Sequence, residues 1–291
     1  MNDFFSKLEN FLFDILGLIL PGAIFLMILL SPVLFVDIDG LPAATIDGSV
    51  ILSALKMVSH VLKTNWAVYP RSSLTILTIL AYLMGHAVKV FSRIKYEVLT
   101  AVFDDGLNRP VVRGYERICG WLFRNPSSAF YLRLKELLRP LGTVLDYLFT
   151  FRAADYLASD AVLKENCLQL VKTRLSVEYP DDTRLVTKLS GVITTQESIK
   201  TLGPFFLAKY NLYRSLALIF VLTTPYYIGF FRVAGAFITP SLNEISRLII
   251  TTMVVLWFTF HVKYKRYWTL YGDERIVSLF YILNKKKLNE G

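Results

Sequence analysis

The chain has 291 residues, 54% of them hydrophobic and 14% aromatic, with a mean hydropathy of +0.46. Only 19% are charged, against about 25% in an ordinary soluble domain, and the apolar residues are clustered, which argues for a membrane protein with a sizeable soluble part. The net charge of +9 admits a nucleic-acid partner, but a basic surplus inside the membrane is the simpler source. Cys119 and Cys167 have no CxxC partner and no neighbouring histidine, which excludes a disulfide scaffold and a paired-cysteine zinc site.

The first apolar run is FLFDILGLILPGAIFLMILLSPVLFV, Phe11 to Val36, and it carries no charge from Ile15 onward. About 20 apolar residues cross the hydrocarbon core, so this is a span at about 15–36. A cleavable signal peptide is disfavoured by Asp3, Glu9 and Asp14 ahead of the run, by its length and by the lack of a small-residue cleavage site. Pro21-Gly22 predicts a kink or a tight approach to a neighbouring helix. The loop that follows opens with turn-forming DIDGLPAATIDGS and continues as VILSALKMVSHVLKTNWAVY, whose apolar spacing predicts a short interfacial helix anchored by Trp66 and Tyr69. His60 reads as an ordinary surface residue of that helix.

The second span covers about 72–91, SSLTILTILAYLMGHAVKVF, and ends in Gly85, His86 and Lys89. A segment of roughly 120 residues follows, 92–214, enough for one small domain and helical in pattern nearly throughout. YLRLKELLRPLGTVLDYLFTF has leucines and aromatics at three- and four-residue spacing and bends at Arg139-Pro140. AADYLASDAVLKENCLQLVKTRLSVEY reads as an amphipathic helix pair stopped at Pro180, and DDTRLVTKLSGVITTQESIKTL as a further helix. The last two spans, about 215–232 and 246–263, are separated by a short connection containing Pro240, so they form a hairpin; residues 264–291 are a basic tail. The domains are then a transmembrane hairpin with an outside loop (1–91), a helical domain (92–214), a second hairpin (215–263) and the tail. The fold class is an all-α polytopic membrane protein with four transmembrane helices and a helical cytoplasmic domain between helices two and three.

Lysines and arginines set the orientation. With the N-terminus inside, the outside loops hold five, the N-terminal segment one, the 89–214 segment nineteen and the C-terminal end from Lys263 onward seven. Both termini and the middle segment are therefore expected in the cytoplasm.

The chain has no Walker A pattern, GxSxG, HExxH or paired-cysteine spacing, and Asp104-Asp105-Gly106 and Asp181-Asp182 read as turns. No catalytic, cofactor-binding or metal-binding residue is assigned, and the expectation is a non-enzyme without a cofactor. Arg109, Arg113, Arg117 and Arg124, interleaved with Tyr115, Trp121 and Phe123, have the composition of a nucleic-acid face, but beside a bilayer an anionic lipid leaflet or a packed protein face explains them better. Lys263, Lys265 and Arg266 are grouped with them as lipid or partner contacts. Thr75, Thr78, Thr223, Thr224, Thr251 and Thr252 are the polar residues inside the spans, and they suit bonds to their own helix or a neighbour. His86 and His261 fall at similar depth near the inner interface, which admits a paired site, a pH-sensitive contact or simple interfacial placement.

At GHAVKVFSRIKYE and KYNLYRSLALIFVL the chain resembles uncharacterised four-span bacterial inner-membrane proteins, the matching residues being Gly85, His86, Asn211 and Arg214; FDILGLILPGAIFL is similar to their first span. Some proteins of this outline look like membrane components of anti-phage systems. The resemblance implies a multi-pass inner-membrane component of a defence or stress system, with a cytoplasmic protein partner, an anionic inner leaflet and self-association. Alternatives are a membrane scaffold for a partner complex and a small transporter or channel subunit.

Overall fold

The structure is a computed structural model that describes residues 15–35, 40, 46, 48–102, 117, 161–175, 188–193, 202–234 and 240–289. Every regular element among them is helical: a π-helical turn at Ile15–Ile19, then α1 (Leu20–Phe35), α2 (Val50–Val68), α3 (Pro70–Leu99), α4 (Ala161–Leu175), α5 (Gly203–Ala234) and α6 (Pro240–Asn289). Four helical stretches are long and apolar enough to cross a membrane, Ile15–Pro32, Pro70–Val102, Gly203–Val233 and Glu244–Lys285, and one expected span falls in each. The chain is a multi-pass helical membrane protein. The helical stretch predicted over 131–151 lies outside the described residues.

Prolines punctuate these helices where the backbone tolerates them. Pro70 and Pro240 open α3 and α6, where a missing N–H leaves no bond unmade. Pro32, inside α1, cannot donate to the Ile28 carbonyl one turn earlier. Two hydroxyls take its place: Ser31 Oγ and Tyr227 Oη each donate to Ile28 O at 2.9 Å, and they also touch each other. Tyr226 Oη donates to Leu29 O at 2.9 Å. The α5 tyrosines thus satisfy the carbonyls of the first span that a bilayer would leave without water.

The chain folds into two units, Met1–Ser92 with Thr201–Tyr271, and Arg93–Lys200 with Gly272–Gly291. In the first, α1 packs on α5, and α2 packs on the far end of α5 through Leu52, Leu55 and Phe230. Ser49 caps α2, its Oγ accepting from Leu52 N at 3.4 Å. From Lys56 onward α2 exposes Met57, Val61 and Trp66, and Tyr69 just beyond it is exposed as well; Trp66 and Tyr69 are the two residues expected as interface anchors. Phe206 faces Tyr267, Tyr213 faces both Tyr267 and Phe260, and Phe220 faces Phe260, so α5 and α6 pack antiparallel. Residues 203–214, grouped by sequence with the middle segment, are the first third of α5 and belong to this unit.

The threonines mostly bond to their own helix. Thr75, Thr78, Thr223 and Thr224 donate to the carbonyls of Arg71, Leu74, Ile219 and Phe220 four residues back, at 3.1, 2.9, 2.8 and 2.6 Å.

In the second unit the C-terminal part of α6 is a packing element. Ile276, Leu279 and Leu283 recur at helical spacing and bury against Cys167 and Val171 of α4, with Leu189 and Ile193 alongside. Ser190 Oγ donates to Arg275 O at 2.5 Å. Cys167 Sγ lies 3.9 Å from Ile276 O, and burial pushes its thiol up from 9.0 to about 11. At pH 8 its thiolate is about a hundredfold scarcer than that of a free thiol. In a Cys119→Ser chain, alkylation at pH 8 should therefore be slowed by at least that factor and restored in denaturant; equal native and denatured rates would refute the burial. The unfolded thiol ionises near 9.0 and the folded one near 11, so its contribution to stability is whole below pH 9 and declines as pH rises toward 11.

Candidate functional site

At one end of the membrane unit the helix surfaces carry polar groups inward. Ser92 of α3, Asn211 and Ser215 of α5, and His261 and Lys265 of α6 are all buried. Around them Arg214 reaches Ser92, while the Tyr210 ring lies tilted against those of Tyr264 at 5.3 Å and Trp268 at 4.6 Å. An apolar cluster of Val88, Leu216, Leu218 and Ile219 closes the layer toward the spans. Ionisable side chains in a span point to function more often than apolar ones do.

Two glycines let α1 and α3 approach closely. A Cβ on Gly22 of α1 would sit on the Ala81 carbonyl and within 2.7 Å of Gly85 N; one on Gly85 would sit on the Leu18 carbonyl. Backbone therefore meets backbone where the first and second spans cross, the arrangement small residues permit in membranes. Pro21-Gly22 serves the tight approach expected of it, and the π-helical turn at Ile15–Ile19 gives the chain a wider winding just ahead of Pro21. Gly85, singled out for function, has a packing role at this crossing.

The other singled-out residues separate into groups. His86 is exposed, and its ring meets Tyr82 edge-on at 4.6 Å on its own helix. His261 is buried and lies between Trp257 at 6.2 Å and Tyr264 at 5.8 Å on α6. These ring contacts of each histidine are with neighbours on its own helix. Asn211 is buried and Arg214 half-buried. Arg214 Nε donates to Ser92 Oγ at 3.2 Å and a terminal nitrogen donates to Tyr210 Oη at 3.2 Å. The two stretches GHAVKVFSRIKYE and KYNLYRSLALIFVL thus meet through Ser92 and Arg214.

Lys263 and Arg266 are exposed, while Lys265, grouped with them by sequence, is fully buried at 0% exposure. Helical geometry explains the split: at about 100° per residue, Arg266 lies some 60° from Lys263 and Lys265 some 160° away. Lys265 shares instead the face of His261, one turn earlier. Arg117 is a helical, exposed residue; Arg109, Arg113 and Arg124 lie outside the described residues.

Sequence reasoning passed over Ser92, Tyr210 and Ser215. The signal for the first two was the position of a hydroxyl beside each arginine stretch. Ser215 Oγ is fully buried with no hydrogen-bond partner among the described residues. Among those residues no group of three or more His, Cys, Asp and Glu converges as a metal site would need. The layer is rich in N–H and O–H donors and is suited to holding an anion or a polar ligand. Compared with protein-family models, curated proteins and solved structures, the chain matches none.

Proposed function

We propose that the chain is a non-enzymatic component of a bacterial inner membrane, with both termini and the 92–214 segment in the cytoplasm, that serves a defence or stress system as the membrane partner of a cytoplasmic sensor. The observation that carries this reading is the division of labour along α6. Its residues up to Tyr271 pack in the membrane unit, and those from Gly272 pack with α4 in the second unit. The helix that forms the fourth span thus continues in sequence into the unit that a cytoplasmic partner would engage. The lysine and arginine asymmetry supports the orientation, and the resemblance at Gly85, His86, Asn211 and Arg214 supports the setting. Expression of the gene, alone and with its genomic neighbours under phage challenge, should lower plating efficiency or depolarise the membrane. Unchanged plating and unchanged potential in both arms would sink the reading.

The buried Lys265 and His261 favour a second reading, a small transporter or channel subunit, because such groups line substrate paths. Substrate-dependent flux in proteoliposomes, lost on His261→Ala, would select it over the first.

A further inference from the structure

Arg214 stands two residues ahead of the uncharged run Leu216 to Phe231 and is half-buried. It is met by neutral groups: the hydroxyls of Ser92 and Tyr210, each at 3.2 Å, and the Tyr210 ring, whose centre lies 5.1 Å away. No carboxylate among the described residues pairs with it. Lys209 is placed similarly, over the rings of Phe205 at 4.2 Å and Tyr267 at 5.2 Å, and it donates to the Tyr267 hydroxyl at 3.5 Å. Exposed Lys263 and Arg266 add positive charge on α6.

A desolvated lysine can give up its proton, but a guanidinium cannot. Arg214 sets a guanidinium at the edge of an apolar slab, where neutral partners compensate it less well than an anion does. Its remaining N–H donors form the planar fork that fits a phosphate through two parallel bonds. The neighbouring hydroxyls are not equivalent. Ser92 Oγ donates its own proton to Lys89 O at 2.8 Å, so toward Arg214 it is only an acceptor. Tyr210 Oη accepts from Arg214, and its proton has no acceptor among the described residues. An anion at the fork can thus receive two guanidinium bonds and one phenol bond.

We propose that Arg214 and Tyr210 form a binding site for a phosphate group at the edge of the membrane bundle, the chemistry shared by an anionic lipid headgroup and by free phosphate. Full-length protein, delipidated in a neutral detergent, would be titrated with phosphatidylglycerol, phosphatidylcholine or inorganic phosphate. The readouts are native mass spectrometry and the emission of Trp268, whose ring lies 4.6 Å from that of Tyr210. The expected result is binding of phosphatidylglycerol about tenfold tighter than phosphatidylcholine, the worth of a charge-assisted contact. Arg214→Gln should abolish the preference, Tyr210→Phe should reduce it a few-fold, and Lys263→Gln with Arg266→Gln should leave it in place. Inorganic phosphate that binds alone and displaces the lipid identifies free phosphate as the occupant; a lipid that inorganic phosphate cannot displace identifies the headgroup. If Arg214→Gln melts early, Arg214→Lys decides, since it keeps the charge and loses the fork: with an unchanged melting point its preference must fall. Equal phosphatidylglycerol preference in the wild type and a folded Arg214 variant overturns the proposal.

Discussion

Gly85→Leu should pull the first two spans apart. The position of a Cβ on Gly85 is already taken by the Leu18 carbonyl, and that of a Cβ on Gly22 by the Ala81 carbonyl. These obstacles are main-chain atoms, which cannot swing away as a flexible side chain does. Inserting methylenes into a packed core costs about 1–3 kcal/mol when side chains can adjust, and a leucine between two backbones belongs at or beyond the upper end. Lipid offers no hydrophobic penalty to hold the helices together once the fit is lost. The unfolding midpoint of the purified protein in a detergent titration should fall sharply for Gly85→Leu and less for Gly85→Ala. Because Gly22 and Gly85 share one crossing, Gly22→Ala combined with Gly85→Ala should cost less than the sum of the single changes. A Gly85→Leu protein with the wild-type midpoint would rule out the close crossing.

Leu279→Ala is the second change with a large expected effect, and it strikes the other unit. Leu279 is at 0% exposure, enclosed by Cys167, Val171, Ile276 and Leu283. Truncating a leucine in such a site removes the transfer free energy of its methyl groups and leaves a cavity, together about 2–5 kcal/mol. Much of the stability of a small helical unit would go with it. Limited proteolysis should then cut within 161–193 and 273–289 at protease concentrations the wild type survives, and Cys167 should become open to alkylation. Val277→Ala, at an exposed position of the same helix, should change neither. Protection of Leu279→Ala equal to that of wild type would show that the end of α6 is not packed as described. The two changes also separate the units: Gly85→Leu should leave Cys167 protected, and Leu279→Ala should leave the α5–α6 aromatic stack in place.

Much of this architecture is written in runs of consecutive residues. Ile15 to Val36 has no charge, and the three later apolar stretches are framed by arginines and lysines, so four spans follow from composition over a window the width of a bilayer. The antiparallel relation of the last two follows from the short connection between them. The helix over 161–175 follows from its apolar spacing. None of these depends on a distant residue.

The candidate site was legible only in pieces. Asn211, Arg214, His261 and Lys265 stand out because polar residues at the edge of an apolar run are conspicuous. Which of them turn inward was not readable, because that depends on the azimuth of each helix against its neighbours. Lys263 and Lys265 are two residues apart and end on opposite sides of α6. The tail shows the same gap: by sequence it is a basic tail, while Ile276, Leu279 and Leu283 needed α4 opposite them before their stripe had a purpose. The Tyr227 phenol of α5 helps make good the carbonyl that Pro32 frees in α1, a repair almost two hundred residues distant in the chain.

By itself, then, the sequence determined how many times the chain is able to cross a membrane and where its long apolar helical stretches lie, because hydropathy and helical period are local quantities. The tertiary structure alone decided that Gly22 and Gly85 meet backbone to backbone, that Lys265 is buried while Lys263 is not, and that Arg214 reaches Ser92 across two helices. Those outcomes turn on which face of one helix meets which face of another, and packing between elements far apart in sequence settles that.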